Sequence, residues 1–316
     1  MPLLTRESGW TVEAMAMKQV SASDRAQPLV VERNPPGLWR LAGQRFLRHR
    51  AGVIAAISLL FVIGLVVLGP VFLVTRDAAF RPDPLIINEP PTWEHWFGTD
   101  QVGRDIFARI IYGGQISLAI GLLSMIVSTA VGTVLGSVSG YFGGITDTII
   151  MRLTDAMLSI PGVFLIIALA VFLGSTIQTI ILAIGLLNWM GITRIIRALF
   201  LSLKEREFVL AARCLGVQNV RIMWGHILPN AIAPVVVAAT LIVGEAILIE
   251  TAISYLGLGI QPPTPSWGNM LRNAQDLIWS APWLAIFPGT MIFITILCIN
   301  FMGDALRDAL DPHMRL

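Results

Sequence analysis

The chain is organised by its uncharged stretches. No residue from Ala51 to Thr75 is charged, and none from Ile110 to Thr146. Residues 156–193 are also free of charge. About 20 apolar residues suffice to cross a hydrocarbon core of roughly 30 Å as a helix. The first stretch therefore predicts one span near 52–74. The second predicts a span near 116–138, followed by the turn Gly140-Tyr141-Phe142-Gly143-Gly144. The third is too long for one crossing, and Gly174-Ser175 supplies a break, so spans are predicted near 152–173 and 176–198. A fifth near 231–257 carries Glu245 and Glu250, and a sixth lies near 284–303. The predicted fold is all-α, a polytopic membrane protein with six transmembrane helices. Residues 1–50 form a polar tail and amphipathic lead-in, 51–303 the membrane domain, and 304–316 a short C-terminal tail. Within the first of these, residues 1–35 read as a flexible tail ending at Pro35-Pro36.

Composition agrees. Hydrophobic residues make up 55% of the 316 and charged residues only 13%, against roughly 25% charged in soluble domains. Mean hydropathy is +0.74. The first 50 residues contain no apolar run, so the first span reads as an uncleaved signal anchor rather than a signal peptide. A net charge of +2 is too small to point to nucleic acid. Cys214 falls in a loop and Cys298 in a span, so no disulfide is expected, and no cysteine/histidine cluster has metal-ligand spacing. Neither catalytic residues nor a metal site are predicted.

Six spans place both termini on one side. With the termini inside, the inner segments hold 17 of the Lys and Arg residues and the outer segments five: Arg76, Arg81, Arg104, Arg109 and Arg272. Positive charge concentrates on the cytoplasmic side of membrane proteins, so cytoplasmic termini are expected. The loop at 199–230 is then cytoplasmic, and those at 75–111 and 258–283 are outer.

The inner loop is the most informative segment. Phe208, Ala211, Ala212 and Leu215 recur at helical spacing, and Gly216 suits a helix C-terminal turn, where positive φ costs glycine little. Val217, Val220, Met223 and Trp224 fit one side of a second short helix. Pro229 would open the next span, where its missing N–H matters least. Helix, glycine turn, helix and proline together make a compact knuckle.

Here the chain resembles permease subunits of ABC importers. Their cytoplasmic loop has the pattern Glu-Ala-Ala, three residues, Gly, then a stretch ending in Leu-Pro. Ala211, Ala212, Gly216, Leu228 and Pro229 fit it. The pattern's Glu falls on Leu210, a departure, with Glu207 one turn earlier. Three further segments resemble the dipeptide/oligopeptide/nickel branch, in its dipeptide-permease C type. They run from His95 to Leu118, from Tyr255 to Leu271 and from Asn300 to Pro312. The resemblance covers roughly residues 40–314. It implies a type I ABC importer permease fold in which 204–230 is the coupling helix docked on an ATPase subunit. It also implies a second permease subunit as heterodimer partner, two ATPase subunits inside and a solute-binding protein outside, in a bacterial inner membrane. Relatives carry dipeptides, oligopeptides, glutathione, nickel chelates and oligosaccharides. The chain has no G-x-x-x-x-G-K-[ST] loop, and its two lysines, Lys18 and Lys204, do not follow glycine. ATP and magnesium are therefore expected on partner subunits, with no cofactor here. A self-sufficient secondary transporter is the alternative, but the halves show no convincing repeat.

The remaining segments carry local expectations. Thr99 or Asp100 would cap an amphipathic helix on the outer surface, with Ile106, Ile110 and Ile111 apolar and Arg104, Asp105 and Arg109 at the interface. Pro262, Pro263 and Pro265 force an extended loop, Ser266 caps a short helix, and Trp267, Trp279 and Trp283 suit the membrane interface. Asp304, Arg307, Asp308 and Asp311 are spaced for helix-surface ion pairs, and Asp155 for a pair with Arg152. Ionisable groups at membrane depth face protein or water. Glu245 and Glu250 are thus candidate pathway-lining residues or hydrogen-bond partners of a neighbouring helix or subunit. Five residues of helix turn about 140°, so the two cannot share one face.

Overall fold

The computed structural model describes residues 38–310. The expected tail at 1–35 and Asp311 lie outside the described residues. The chain divides into two units at Leu41/Ala42. Of the first, only the start of helix α1 (Leu38–Arg48) is described. The second unit contains all the other helices.

Five helices are long and apolar enough to cross a membrane: α2 (Arg50–Phe72), α4 (Ile106–Phe142), α7 (Ile177–Leu203), α9 (Asn219–Tyr255) and α11 (Trp283–Leu310). Short helices α3 (Arg76–Phe80), α8 (Glu207–Cys214) and α10 (Trp267–Asn273) sit in the connections. The stretch expected as one span at 152–173 is a broken pair, α5 (Gly144–Leu158) and α6 (Gly162–Leu173), bent by 83°. The cause is Pro161. It disfavours helical geometry at Ile160 and cannot supply a backbone donor, so α5 stops at Leu158. With the broken pair counted as one span, the total is six. Among the described residues there is no strand, only an isolated bridge between Thr99 and Asp105.

Helix α4 is the spine. Gly132, Gly136 and Gly140 recur every fourth residue and form one face against α7. A Cβ at these positions would come within 2.6 Å of the Cβ of Ile192, the carbonyl oxygen of Thr193 and the Cβ of Phe200 respectively. Elsewhere along the same contact, the Ser124 hydroxyl donates to the Ile181 carbonyl at 3.2 Å and the Ser128 hydroxyl to the Gly185 carbonyl at 2.9 Å. Small residues let backbones approach closely in membranes, where hydrophobicity alone gives helices no reason to associate. On another side of α4, Gly121 meets Ile247 of α9.

The segment ahead of α4 differs from the surface helix expected there. Asp105, not Thr99 or Asp100, is the N-cap, its carboxylate accepting from the Ala108 amide at 2.8 Å. Residues 83–105 form a bonded loop instead. Asp100 accepts from the amides of Val102 and Arg104 (3.0 Å each) and from Arg104 Nε at 2.8 Å, and lies 3.5 Å from Arg109 Nε. Arg104 and Arg109 are therefore buried rather than interfacial. The Thr99 hydroxyl, also buried, donates to the Ile86 carbonyl and accepts from the Glu89 amide. The ion pairs also differ from expectation. Asp155 meets Arg194 at 2.7 Å rather than Arg152, and Asp308, on the continuous helix α11, lies 3.7 Å from His49 of the lead-in rather than from a residue of its own helix.

Candidate functional site

Two ends of the bundle carry the candidate residues. At one end, the knuckle begins where α7 stops at Leu203. Helix α8 turns inward with Val209 and Ala212. Both are buried in a cluster with Tyr141, Phe200, Ile222, Met223 and Ile227. It ends in a Schellman turn: the Val217 amide donates to the Ala212 carbonyl at 3.1 Å across Gly216, whose φ is 74°. The expected glycine turn is therefore present, and positive φ is its reason.

The second half departs from expectation. The short helix at Asn219–Arg221 and the span with Pro229 in its first turn (Leu228–Tyr255) are both present, but a wide π-helical turn at Ile222–Ile227 joins them into one continuous helix, α9. A wider turn ahead of Pro229 lets the helix pass a residue with no N–H to give. Met223 is buried, whereas Val220 and Trp224 are exposed.

The family-pattern residues consequently divide. Ala212 points into the core, Leu228 is half-buried, and Glu207, Ala211, Gly216 and Pro229 are exposed. Around the exposed set stand Phe208, Leu210, Leu215, Val220 and Trp224, with Leu215 83% exposed. These apolar side chains stand exposed on a segment whose Val209, Ala212, Ile222, Met223 and Ile227 are buried. Cys214 is exposed there and Cys298 is buried in α11, both as free thiols.

At the opposite end, residues 255–273 fold back on the bundle. Glu250 is fully buried. Its carboxylate accepts from the Ser254 hydroxyl at 2.7 Å and from the Ser117 hydroxyl of α4 at 3.3 Å. Each serine oxygen in turn accepts a loop amide, Ile260 N at 3.1 Å and Trp267 N at 3.2 Å. Trp267 is completely buried rather than interfacial, and its indole N–H donates to the Ile110 carbonyl at 3.0 Å. A capping box of Ser266 and Asn269 starts α10, and the Asn269 amide also donates to the carbonyls of Ile260 and Thr264. Of the two readings open for Glu250, the structure contains hydrogen bonding to a neighbouring helix. Glu245, on a different face of the same span, is exposed.

Several partners carry no local signal in the sequence: Ser117 and Ser254 around Glu250, and Tyr141 and Asn219 beside the knuckle. Tyr141 is visible there only as a member of a glycine turn, and Ser117 only as part of the segment from His95 to Leu118.

Two family models match the chain. Residues 132–316 match the one described as binding-protein-dependent transport system inner membrane component, and 37–91 match the N-terminal TM domain of oligopeptide transport permease C. The chain is 41% identical over 277 residues to the dipeptide transport system permease protein DppC of Alkalihalophilus pseudofirmus, covering 88% of this chain and 90% of that one. It is 38% identical over 288 residues to the glutathione transport system permease protein GsiD of Pectobacterium atrosepticum, covering 91% and 95%. In fold it is similar to a chain of the MetNI methionine ABC transporter in an inward-facing conformation. That match has a TM-score of 0.53 and 18% identity, and covers 65% of this chain and 97% of the other.

Proposed function

The chain belongs to the family of binding-protein-dependent transport system inner membrane components, in the dipeptide/oligopeptide branch of ABC importer permeases, and from that premise we propose how it works. It pairs with a second permease to enclose a path for dipeptides or short oligopeptides. The knuckle at 204–230 docks on an ATPase subunit, and a solute-binding protein delivers substrate at the opposite end. ATP and magnesium are held by the ATPase subunits. Both termini and the knuckle lie on the cytoplasmic side, in keeping with the distribution of Lys and Arg.

The observation that carries this reading is that α8 buries Val209 and Ala212 while Phe208 and Leu210 on it, and Leu215 in the turn that follows it, are left exposed. Exposed apolar clusters with polar surroundings mark interaction sites. Glu207, Ala211 and Gly216 stand at that surface, whereas Ala212, Leu228 and Pro229 set its shape. Glu245 is the pathway-facing carboxylate, because an exposed ionisable group at that depth needs water or protein beside it. Glu250 holds the outer loop in place.

The test is reconstitution. The chain with its partner permease, ATPases and binding protein should take up labelled dipeptide into proteoliposomes when ATP is present on the knuckle side. Uptake driven by an ion gradient without ATPase subunits would contradict the proposal.

A further inference from the structure

The knuckle is tied to more than the two spans it connects. The Tyr141 hydroxyl, in the last turn of α4, donates to Asn219 Oδ1 at 2.7 Å, where α9 begins. The Arg213 guanidinium stands 5.3 Å over the Tyr141 ring, and Lys204 Nζ donates to the Gly140 carbonyl at 3.0 Å. Three contacts from 204–219 thus converge on two residues, Gly140 and Tyr141.

Those two residues sit immediately before a joint. Gly143 and Gly144 both have positive φ, 68° and 54°, with open space around Gly144 and only the Lys204 ammonium near Gly143. Beyond the joint lies α5, whose far end is the 83° break at Pro161. Between these two joints α5 is held by polar links. Asp147 accepts from Ser139 Oγ at 2.5 Å and from Arg197 at 2.5 and 2.6 Å, and Asp155 accepts from Arg194 at 2.7 Å. The second pair is half exposed, and such pairs hold weakly. Ile145, Ile149 and Leu153 on α5 are exposed. A helix jointed at both ends, fastened by ion pairs and packed through Met157, can turn at Gly143–Gly144 with Gly132 and Gly136 still seated on α7.

We propose that the Tyr141–Asn219 hydrogen bond is the relay that passes displacement of the knuckle to α5, making Tyr141 and Asn219 positioning residues of the transport cycle. The proposal rests on the reading of 204–230 as the ATPase-coupling element. When the knuckle moves, Asn219 moves with it, Tyr141 follows, and the Gly143–Gly144 joint converts that shift into a change in the angle of α5.

The experiment uses the whole transporter in nanodiscs, with Cys214→Ser and an environment-sensitive fluorophore on Ala156→Cys, an exposed position of α5. Bound ATPase, ATP hydrolysis and the fluorescence change on trapping Mg-ATP with vanadate are read together. Tyr141→Phe, buried and outside the docking element, should keep ATPase association and hydrolysis but lose the nucleotide-induced fluorescence change, and Asn219→Leu, read per bound ATPase, should lose the same change. The double variant should lose no more than either single one. Asn219→Asp, which keeps an acceptor oxygen, should retain the response. A full response in Tyr141→Phe, or none in Asn219→Asp or in the labelled parent, would overturn the relay while leaving ATPase coupling intact. Failure of any ATPase to associate with the unsubstituted chain would overturn the coupling reading, and the relay with it.

Discussion

The two ends of the bundle solve opposite problems. Around Trp267 the large side chain is buried, the backbone amides of the loop reach serine hydroxyls, and those hydroxyls reach Glu250. Around α8 half the apolar side chains are left uncovered. In the first arrangement Glu250, its two serines and the Trp267 indole all find partners within the chain. The second is complete only when something else covers Phe208, Leu210 and Leu215. Internal satisfaction marks a scaffold, and unsatisfied apolar surface marks a contact, so substitutions at the two ends should fail in different ways.

The largest effect is expected at the closed end. Trp267→Ala removes a wholly buried indole and should cost about 3–5 kcal/mol. A much lower melting temperature and poor yield of the purified chain in detergent would register it. Glu250→Ala strands two buried hydroxyls, each worth roughly 1–3 kcal/mol when left unpaired, whereas Glu250→Gln keeps a partner for at least one. The ranking Ala worse than Gln, read from thermal melts, is the more telling observation, since equal melts would mean the hydrogen bonds carry nothing. The glycine face of α4 should rank next. Gly136→Leu forces a side chain against Thr193 and Ile196 and should separate α4 from α7, with a cost of about 1–3 kcal/mol from overpacking.

At the open end the costs are local and the functional losses large. Gly216→Val places a β-branched residue at φ 74°, a strain of about 1–3 kcal/mol that should reshape the knuckle while the spans remain inserted. Melting should shift less than for Trp267→Ala, and bound ATPase should fall. Ala212 does not belong with it. Because Ala212 is buried against the knuckle core, Ala212→Arg would disrupt that core as well as the contact, so Ala211→Arg is the cleaner probe of the outer surface.

Much of this is legible in the chain. Uncharged stretches mark the long helices because the bilayer demands unbroken apolar length, and Gly216 announces its turn because few other residues tolerate that φ. Three features are not legible. Hydropathy does not register the missing N–H of Pro161, so α5 and α6 look like one span. Charge alone assigns Arg104 and Arg109 to the interface, because it does not reveal that Asp100 folds back to meet them. Helical angle separates Glu245 from Glu250 without saying which of them meets serines. That depends on Ser117, more than a hundred residues away in sequence. Tertiary partners of that kind leave no local pattern.

The outer surface of α8 is a contact and its inner surface a support. One measurement separates the two roles: ATPase retained by the purified transporter carrying Leu215→Glu, with the melting temperature of the same sample. Leu215 is exposed, and exposed substitutions away from special features stay within about 0.5 kcal/mol. An unchanged melt of the permease together with loss of most of the bound ATPase is expected. Full retention of ATPase with wild-type uptake would refute the division of roles.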